Sequence, residues 1–236
     1  MLINTKNRTD AIEIMDDFAL EGNQLRDALD KIASINQLLG GNKLTLQGLQ
    51  LVLKAIPKNK EITIVDVGCG NGDMLRVIAN YAKNNNYIFN LIGIDANSFT
   101  INHAKKLSQN YPTIRYQCVD IFDANFDDLE YDILLCTLTL HHFKDDEILK
   151  LMSMFYKKAT IGIVINDLQR SSISYRLFQV LCFVFRLNKM SREDGLVSIL
   201  RGFKKKELLN FSEKLQFKNY SIRWKWAFRY QWIIIK

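Results

Sequence analysis

Ile62-Thr63-Ile64-Val65-Asp66-Val67-Gly68-Cys69-Gly70-Asn71-Gly72 is the stretch whose reading decides the architecture. Its first six residues are β-branched but for one acid, the composition of a buried strand. Three glycines at alternate positions follow, and helical spacing resumes over 74–82. A strand that turns through glycines into a helix is the junction where open α/β sheets bind nucleotide-like ligands. Glycines there let the backbone approach a ligand closely and adopt positive φ.

Outward from this junction, strand and helix patterns alternate, as a parallel α/β sheet requires. A second strand spans 87–94 and ends at Asp95, and a helix follows over 99–107. Strands are expected at 114–119, ending at Asp120, at 131–136 and at 160–165. Ile148, Leu151, Met152 and Phe155 fall at i, i+3, i+4 and i+7, which marks an amphipathic helix between the last two. Upstream, Leu25, Ala28, Leu29, Ile32 and Leu39 keep helical spacing, and Gly40-Gly41 supplies a stop. A second helix is expected from about Thr45 to before Pro57. The tail reads as a helix over 204–215 and two strands near 220–224 and 228–235.

The glycine spacing discriminates between ligands. A dinucleotide fingerprint is G-x-G-x-x-G, whereas here the third glycine follows the second after one residue. Asp66 near the end of the first strand would repel a pyrophosphate. It would attract a ligand carrying an ammonium and a sulfonium, and S-adenosylmethionine (SAM) carries both. Asp95 stands 23 residues beyond Gly72, where a carboxylate can accept from both hydroxyls of a ribose. Asp120 offers an acceptor to an adenine amine, or an N-cap to the helix that follows.

Asp66-x-Gly68-x-Gly70-x-Gly72 with Asp95 and Asp120 resembles the SAM-binding motifs of class I methyltransferases. Leu140-His141-His142-Phe143 resembles the Leu-His-His segment of their small-molecule branch, and the likeness spans about residues 25–236. The resemblance implies a Rossmann-like, seven-stranded, mostly parallel sheet with helices on both faces and an antiparallel last strand. It places Asp66 by the SAM amine, and Gly68, Cys69, Gly70 and Gly72 around the methionine moiety. It places Asp95 and Ala96 by the ribose, Asp120 and Ile121 by the adenine, and Thr137 beside the cofactor. The chain divides on this reading into an N-terminal helical cap (1–57), a SAM-binding core (58–166), a lid (167–203) and a final helix with a strand hairpin (204–236).

Methyl transfer from SAM needs a general base only where the acceptor must lose a proton. His141 and His142 follow the fourth strand at its ligand-binding end and are the candidate bases, with packing against the cofactor loop as their plain alternative. His103 lies in a helix pattern and reads as a surface residue. The Asn/Asp-Pro-Pro-Tyr segment of amino-group nucleic-acid enzymes is missing, since that place reads Cys136-Thr137-Leu138-Thr139. No cysteine follows a proline, as the RNA cytosine-C5 enzymes require. The segment 173–187, with Tyr175, Phe178, Phe183 and Phe185, reads as a cap for a flat or greasy acceptor. A helix packed on the domain or at a homodimer interface is the competing use. Asp167, Arg170 and Arg201 are candidates for the same cleft, Arg201 for an anionic substrate group, with an ordinary surface salt bridge as its plainer use.

Composition bounds these readings. The chain has 236 residues, 48% of them hydrophobic, enough for a sizeable core. No secretory leader is evident, and no apolar run approaches the ~18–20 residues of a membrane span. The four cysteines lack CxxC spacing, so buried reduced thiols, a cytoplasmic location and no metal site are expected. Net charge is +7, and residues 201–236 hold ten of the basic residues against two acids. A solvated face is the plain use of that charge; attraction of an anionic substrate or nucleic acid is the other. The expected activity is O- or C-methylation of a small aromatic, quinone-like or polyketide-like acceptor. The rivals are an RNA or protein methyltransferase using the basic tail, and a SAM-binding protein without catalysis.

Overall fold

The computed structural model describes residues 3–236. Its strands are β1 (Glu61–Val67), β2 (Ile88–Asp95), β3 (Ile114–Cys118), β4 (Ile133–Thr137), β5 (Gly162–Leu168), β6 (Tyr220–Lys225) and β7 (Arg229–Ile235). They form one seven-stranded sheet in the order β3-β2-β1-β4-β5-β7-β6. β1 to β5 pair in parallel, and β7 enters antiparallel between β5 and β6. The chain order reverses between β1 and β4, so a crevice opens at the carboxyl ends of these strands.

The helices are α1 (Asn23–Leu38), α2 (Gly41–Val52), α3 (Asp73–Asn85), α4 (Ser98–Leu107), α5 (Ala124–Asp127), α6 (Asp145–Lys158), α7 (Ser172–Val184), α8 (Lys189–Arg201) and α9 (Lys205–Lys214). Strand alternation sorts them onto two faces. Ile62, Ile64, Leu135 and Val164 pack with Leu49, Leu75, Ile78 and Ile101 from α2, α3 and α4. Val65, Val67, Leu134 and Ile163 pack with Leu151, Phe155, Leu208 and Phe211 from α6 and α9. The period of two along each strand thus feeds two cores, because both faces of a parallel sheet are covered.

Four expectations are corrected. The second helix starts at Gly41 rather than Thr45, because Gly40, at φ 77°, turns the chain directly from α1 into α2. β5 runs on to Leu168, because its polar residues find partners: Asn166 Nδ2 donates to the Gly41 carbonyl (3.0 Å) and to Thr45 Oγ1 (3.0 Å). His103 is not a free surface residue, since its Nε2 meets Asp30 of α1 at 2.8 Å. Cys69, Cys136 and Cys182 are buried, but Cys118 is exposed, because β3 is an edge strand. Among the described residues no helix is long and apolar enough to cross a membrane.

Candidate active site

The β1–α3 loop carries the first half of the site. Gly68 and Gly70 sit at φ 67° and 53°, a region costly for any residue with a side chain. A Cβ at Gly68 would run into the Thr139 side chain, so the end of β4 closes on the loop. At Gly70 a Cβ would meet only Leu29, at 3.9 Å, so this glycine faces open cavity. Gly72 serves packing instead: it precedes α3, a Cβ there would strike the Tyr116 hydroxyl, and it is absent from the cavity wall.

Asp66 is 2% exposed at the end of β1, and its Oδ1 has no hydrogen-bond partner. Burial, then the charges of Asp73 and Asp95, push its carboxyl well above the usual range. A cation delivered to Oδ1 relieves all of these effects together, which is the fit expected of an ammonium group. Asp95 ends β2 and accepts from the Gly70 N–H (3.2 Å) and the Asn97 N–H (3.0 Å). Asp120 lies beyond β3 and accepts from the Phe122 N–H (3.0 Å), a turn cap of its own. Both line the cavity, together with Ala96, Ile121, Cys69 and Thr137, whose hydroxyl lies 3.0 Å from Thr45 Oγ1.

The second half of the site follows β4. Leu138 holds φ 54°, unusual for a side chain of its size, and Leu140–His142 form one turn of 3-10 helix. His141 is 2% exposed, and its Nδ1 lies 2.7 Å from Asp167 Oδ1 on β5. Asp167 also accepts from the His141 N–H (3.1 Å) and the Leu168 N–H (2.7 Å). Burial opposes the Asp167 charge, but His141 and these bonds outweigh it and hold the carboxyl below its usual range. An ionised Asp167 fixes the proton on Nδ1, which leaves Nε2 with the lone pair. That Nε2 is buried without a partner, 3.8 Å from Glu13 Oε1 and too far for a hydrogen bond.

His142 is held differently. Its Nδ1 meets Asp16 Oδ1 at 2.7 Å, and although burial works against the cation, Asp16 and Glu13 raise its pKa. Glu13, His141 and His142 bring one potential metal ligand each within 4.8 Å of one another. The cation present there is Arg201, 3.2 Å from Glu13 and 2.7 Å from Asp16.

These acids belong to an N-terminal strap that the sequence did not reveal. Arg8 pins it, donating to the carbonyls of His141, Phe143 and Arg201 at 2.7 Å each. Asp194 of α8 accepts from the Ile14 and Met15 N–H groups, at 2.7 and 3.0 Å. Residues 3–20 show no period to read, and the partners of Arg8, Ile14 and Met15 lie more than a hundred positions away. Of the three residues expected near the cleft, none lines the cavity, and Asp167 stands behind His141, which does. Arg201 ties the strap to α8, and Arg170 is buried against Glu207 and the carbonyls of Thr5, Lys6 and Gly202.

One cavity of about 800 Å³ joins both halves. Single-ligand pockets run ~300–1,000 Å³, so this one has room for more than a nucleoside. Its far wall is the connection between β5 and α9, folded as α7 and α8. Ser174, Leu177, Phe178, Leu181 and Leu187 face the cavity from 173–187. The opposite face of α7 is open, with Phe183 87% and Val180 60% exposed. In the basic tail Lys205, Lys206, Lys214, Lys218, Arg223 and Lys236 are exposed, and Arg229 alone of its ten cations is buried.

Residues 64–160 match a family model described as a methyltransferase domain. A putative methyltransferase of Invertebrate iridescent virus 6 is 36% identical over 80 residues, which cover 34% of this chain and 26% of that protein. That match therefore spans about a quarter of the viral relative's length. The carboxy-S-adenosyl-L-methionine synthase of Campylobacter jejuni serotype O:2 is 25% identical over 191 residues, 75% of this chain and 77% of that one. Among solved structures, a plantazolicin methyltransferase in complex with SAH shares the fold, with a TM-score of 0.67, 18% identity and 88% of each chain covered.

Proposed function

We propose that this chain, whose residues 64–160 match a methyltransferase-domain model and whose fold a plantazolicin methyltransferase shares, is a SAM-dependent methyltransferase that methylates an oxygen or carbon of a small, largely apolar acceptor. The acceptor sits between the glycine loop and the α7–α8 wall, and His141 removes its proton. Bound SAM supplies a methyl group already activated by its sulfonium. The chain's own part is to position, to exclude water and to take a proton. Asp66 would hold the SAM ammonium, the Gly68–Gly70 backbone its methionine moiety, Asp95 the ribose, and Asp120 with Ile121 the adenine.

The observation that carries the reading is the buried, unpartnered Nε2 of His141 on the cavity wall. Asp167 fixes the tautomer from behind, and a proton gained at Nε2 is stabilised by Asp167 and by the nearby Glu13 carboxylate. His142, its charged form favoured by Asp16, is the poorer base. The wall residues from α7 are apolar but for Ser174, which suits an aromatic, quinone-like or polyketide-like acceptor.

The test is transfer of labelled methyl from SAM to a panel of phenols, quinols and 1,3-dicarbonyls, with RNA and protein fractions alongside. Labelling of a small molecule that His141→Gln abolishes, with S-adenosylhomocysteine affinity kept, is the expected result. Label appearing only in RNA or protein would move the function to the basic tail. Unchanged turnover by His141→Gln would remove the base. A second reading draws on the Campylobacter relative, whose name places SAM itself as the molecule modified. A carboxylated nucleoside product in the mass spectrum would favour it.

A further inference from the structure

The cavity wall holds a buried cation for which methyl transfer as described has no use. Arg229 opens β7, which runs antiparallel to β5, so it lies at the carboxyl end of the parallel strands, opposite Leu168. Alternation along β7 sets Arg229, Gln231 and Ile233 on the face that meets α2. Gln231 Nε2 accordingly donates to the Leu44 carbonyl at 2.7 Å, and Ile233 packs with Leu49 and Val52. Arg229 is therefore the last side chain of that row, at the cavity wall.

The surroundings make room for the guanidinium and leave it uncompensated. A Cβ at Gly41, the first residue of α2, would stand 3.1 Å from Arg229 Cζ, so the missing side chain is what admits it. The side chain is 4% exposed, and Nε and Nη1 are buried without a hydrogen-bond partner. Asp167 is the acid whose charge reaches it, but that carboxylate is engaged by His141 and Leu168. Burial lowers its pKa to about 10, so it stays protonated at neutral pH. The first-turn N–H groups of α2 beside it add partial positive charge. A buried charge without a partner is costly, and a ligand that brings the counter-charge recovers that cost on binding.

We propose that Arg229, backed by the N-terminus of α2, is the carboxylate-binding site of the cavity. A planar guanidinium matches a carboxylate in two parallel hydrogen bonds, which fixes the orientation of what it holds. Two molecules can bring that group here: the aminoacyl end of SAM, or an acceptor bearing an acid. The inference rests on the SAM reading only for the first of these sources.

Calorimetry on the full chain separates them. S-adenosylhomocysteine, 5′-methylthioadenosine (which lacks the aminoacyl group) and benzoate are titrated into wild type, Arg229→Met and Arg229→Lys, the benzoate after saturation with S-adenosylhomocysteine. If the cofactor supplies the carboxylate, Arg229→Met weakens S-adenosylhomocysteine about 10- to 100-fold and leaves methylthioadenosine unchanged. If the acceptor supplies it, both nucleosides bind as before. Wild-type benzoate binding is then lost in Arg229→Met and partly kept in Arg229→Lys. A folded Arg229→Met that binds all three probes as wild type does overturns the proposal. So does a wild type that binds no benzoate and whose nucleoside affinities the substitution leaves alone. Should Arg229→Met fail to fold, wild type decides. Equal affinity for S-adenosylhomocysteine and for decarboxylated S-adenosylhomocysteine, a further probe that keeps the amine and lacks only the carboxylate, with no benzoate binding, again overturns it. A wild type that binds neither nucleoside refutes the SAM site instead, and benzoate then tests Arg229 alone.

Discussion

Asp167→Asn changes one atom of the His141 pair and tests what that pair is for. The carboxylate now accepts three N–H groups: His141 Nδ1–H at 2.7 Å, the His141 N–H at 3.1 Å and the Leu168 N–H at 2.7 Å. An amide has one accepting oxygen. With that oxygen kept on the His141 N–H, at the Oδ2 position, the NH₂ takes the Oδ1 position and faces Nδ1, which must become the acceptor; the ring proton moves to Nε2 and the Leu168 N–H loses its partner. The lone pair on the buried Nε2 is then lost. General-base catalysis contributes roughly 10²–10⁴ in rate, so kcat should fall by about that factor, or ~2.7–5.5 kcal/mol of barrier. Cofactor affinity should not change, because Asp167 stands on β5, away from the glycine loop. The tautomer is read directly from imidazole nitrogen shifts in ¹⁵N-histidine protein, and the rate from labelled-methyl transfer. Folded Asp167 titrates below its unfolded value. Its stabilising contribution is thus present above the ordinary carboxylate pKa of ~3.9 and is lost as pH falls through the folded value. Asp167→Asn should remove that acid-side loss. A folded variant with the wild-type tautomer and near-wild-type turnover would refute the reasoning.

Calorimetry should find SAM and S-adenosylhomocysteine binding far tighter than NAD, because the acids Asp66, Asp73 and Asp95 interact at the glycine loop and favour a cationic ligand there over a pyrophosphate; equal NAD affinity sinks the reading. Asp95→Ala should weaken SAM by about 1.5–3 kcal/mol, the scale of hydrogen bonds to a charged group, in a chain that still folds. Unchanged affinity would put the ribose elsewhere. Asp66→Asn should separate stability from binding. The raised Asp66 pKa gives a contribution that is full below the unfolded value and lost as pH rises through the folded one. The ligand-free variant should therefore melt higher than wild type at neutral pH and bind SAM more weakly. A variant that melts lower at neutral pH contradicts the account.

Much of this site was legible because its parts are local. The strand, the glycines and the helix behind them lie in one continuous run, 61–85, and each strand-end acid is marked by the pattern that precedes it. The apolar segment 173–187 was legible as a wall because so greasy a stretch must bury one face. Glycine spacing could not tell Gly70, which faces the cavity, from Gly72, which packs on Tyr116. That difference is set by β3, a separate stretch of chain. The α2 start was misplaced because Gly40-Gly41 reads as a stop from one side and as a start from the other.

What stayed hidden is whatever register and long-range closure decide. Glu13 and Asp16 reach the histidines only because Arg8 and Asp194 pin a strap with no period of its own. Arg229 looked like one more cation in a basic tail. Its burial depends on which face of β7 it takes, and that face is fixed by the antiparallel pairing that sets it opposite Leu168. A weak signal was available. In Arg229-Tyr230-Gln231-Trp232-Ile233-Ile234-Ile235 every later residue suits a strand covered on both faces, so a charge on that strand has no solvated side to choose. Local chemistry in this chain builds the glycine-loop half of the cavity. The strap acids Glu13 and Asp16 and the cation Arg229 come from the two ends of the sequence, and they join His141 at the cavity wall only once the sheet has closed between them.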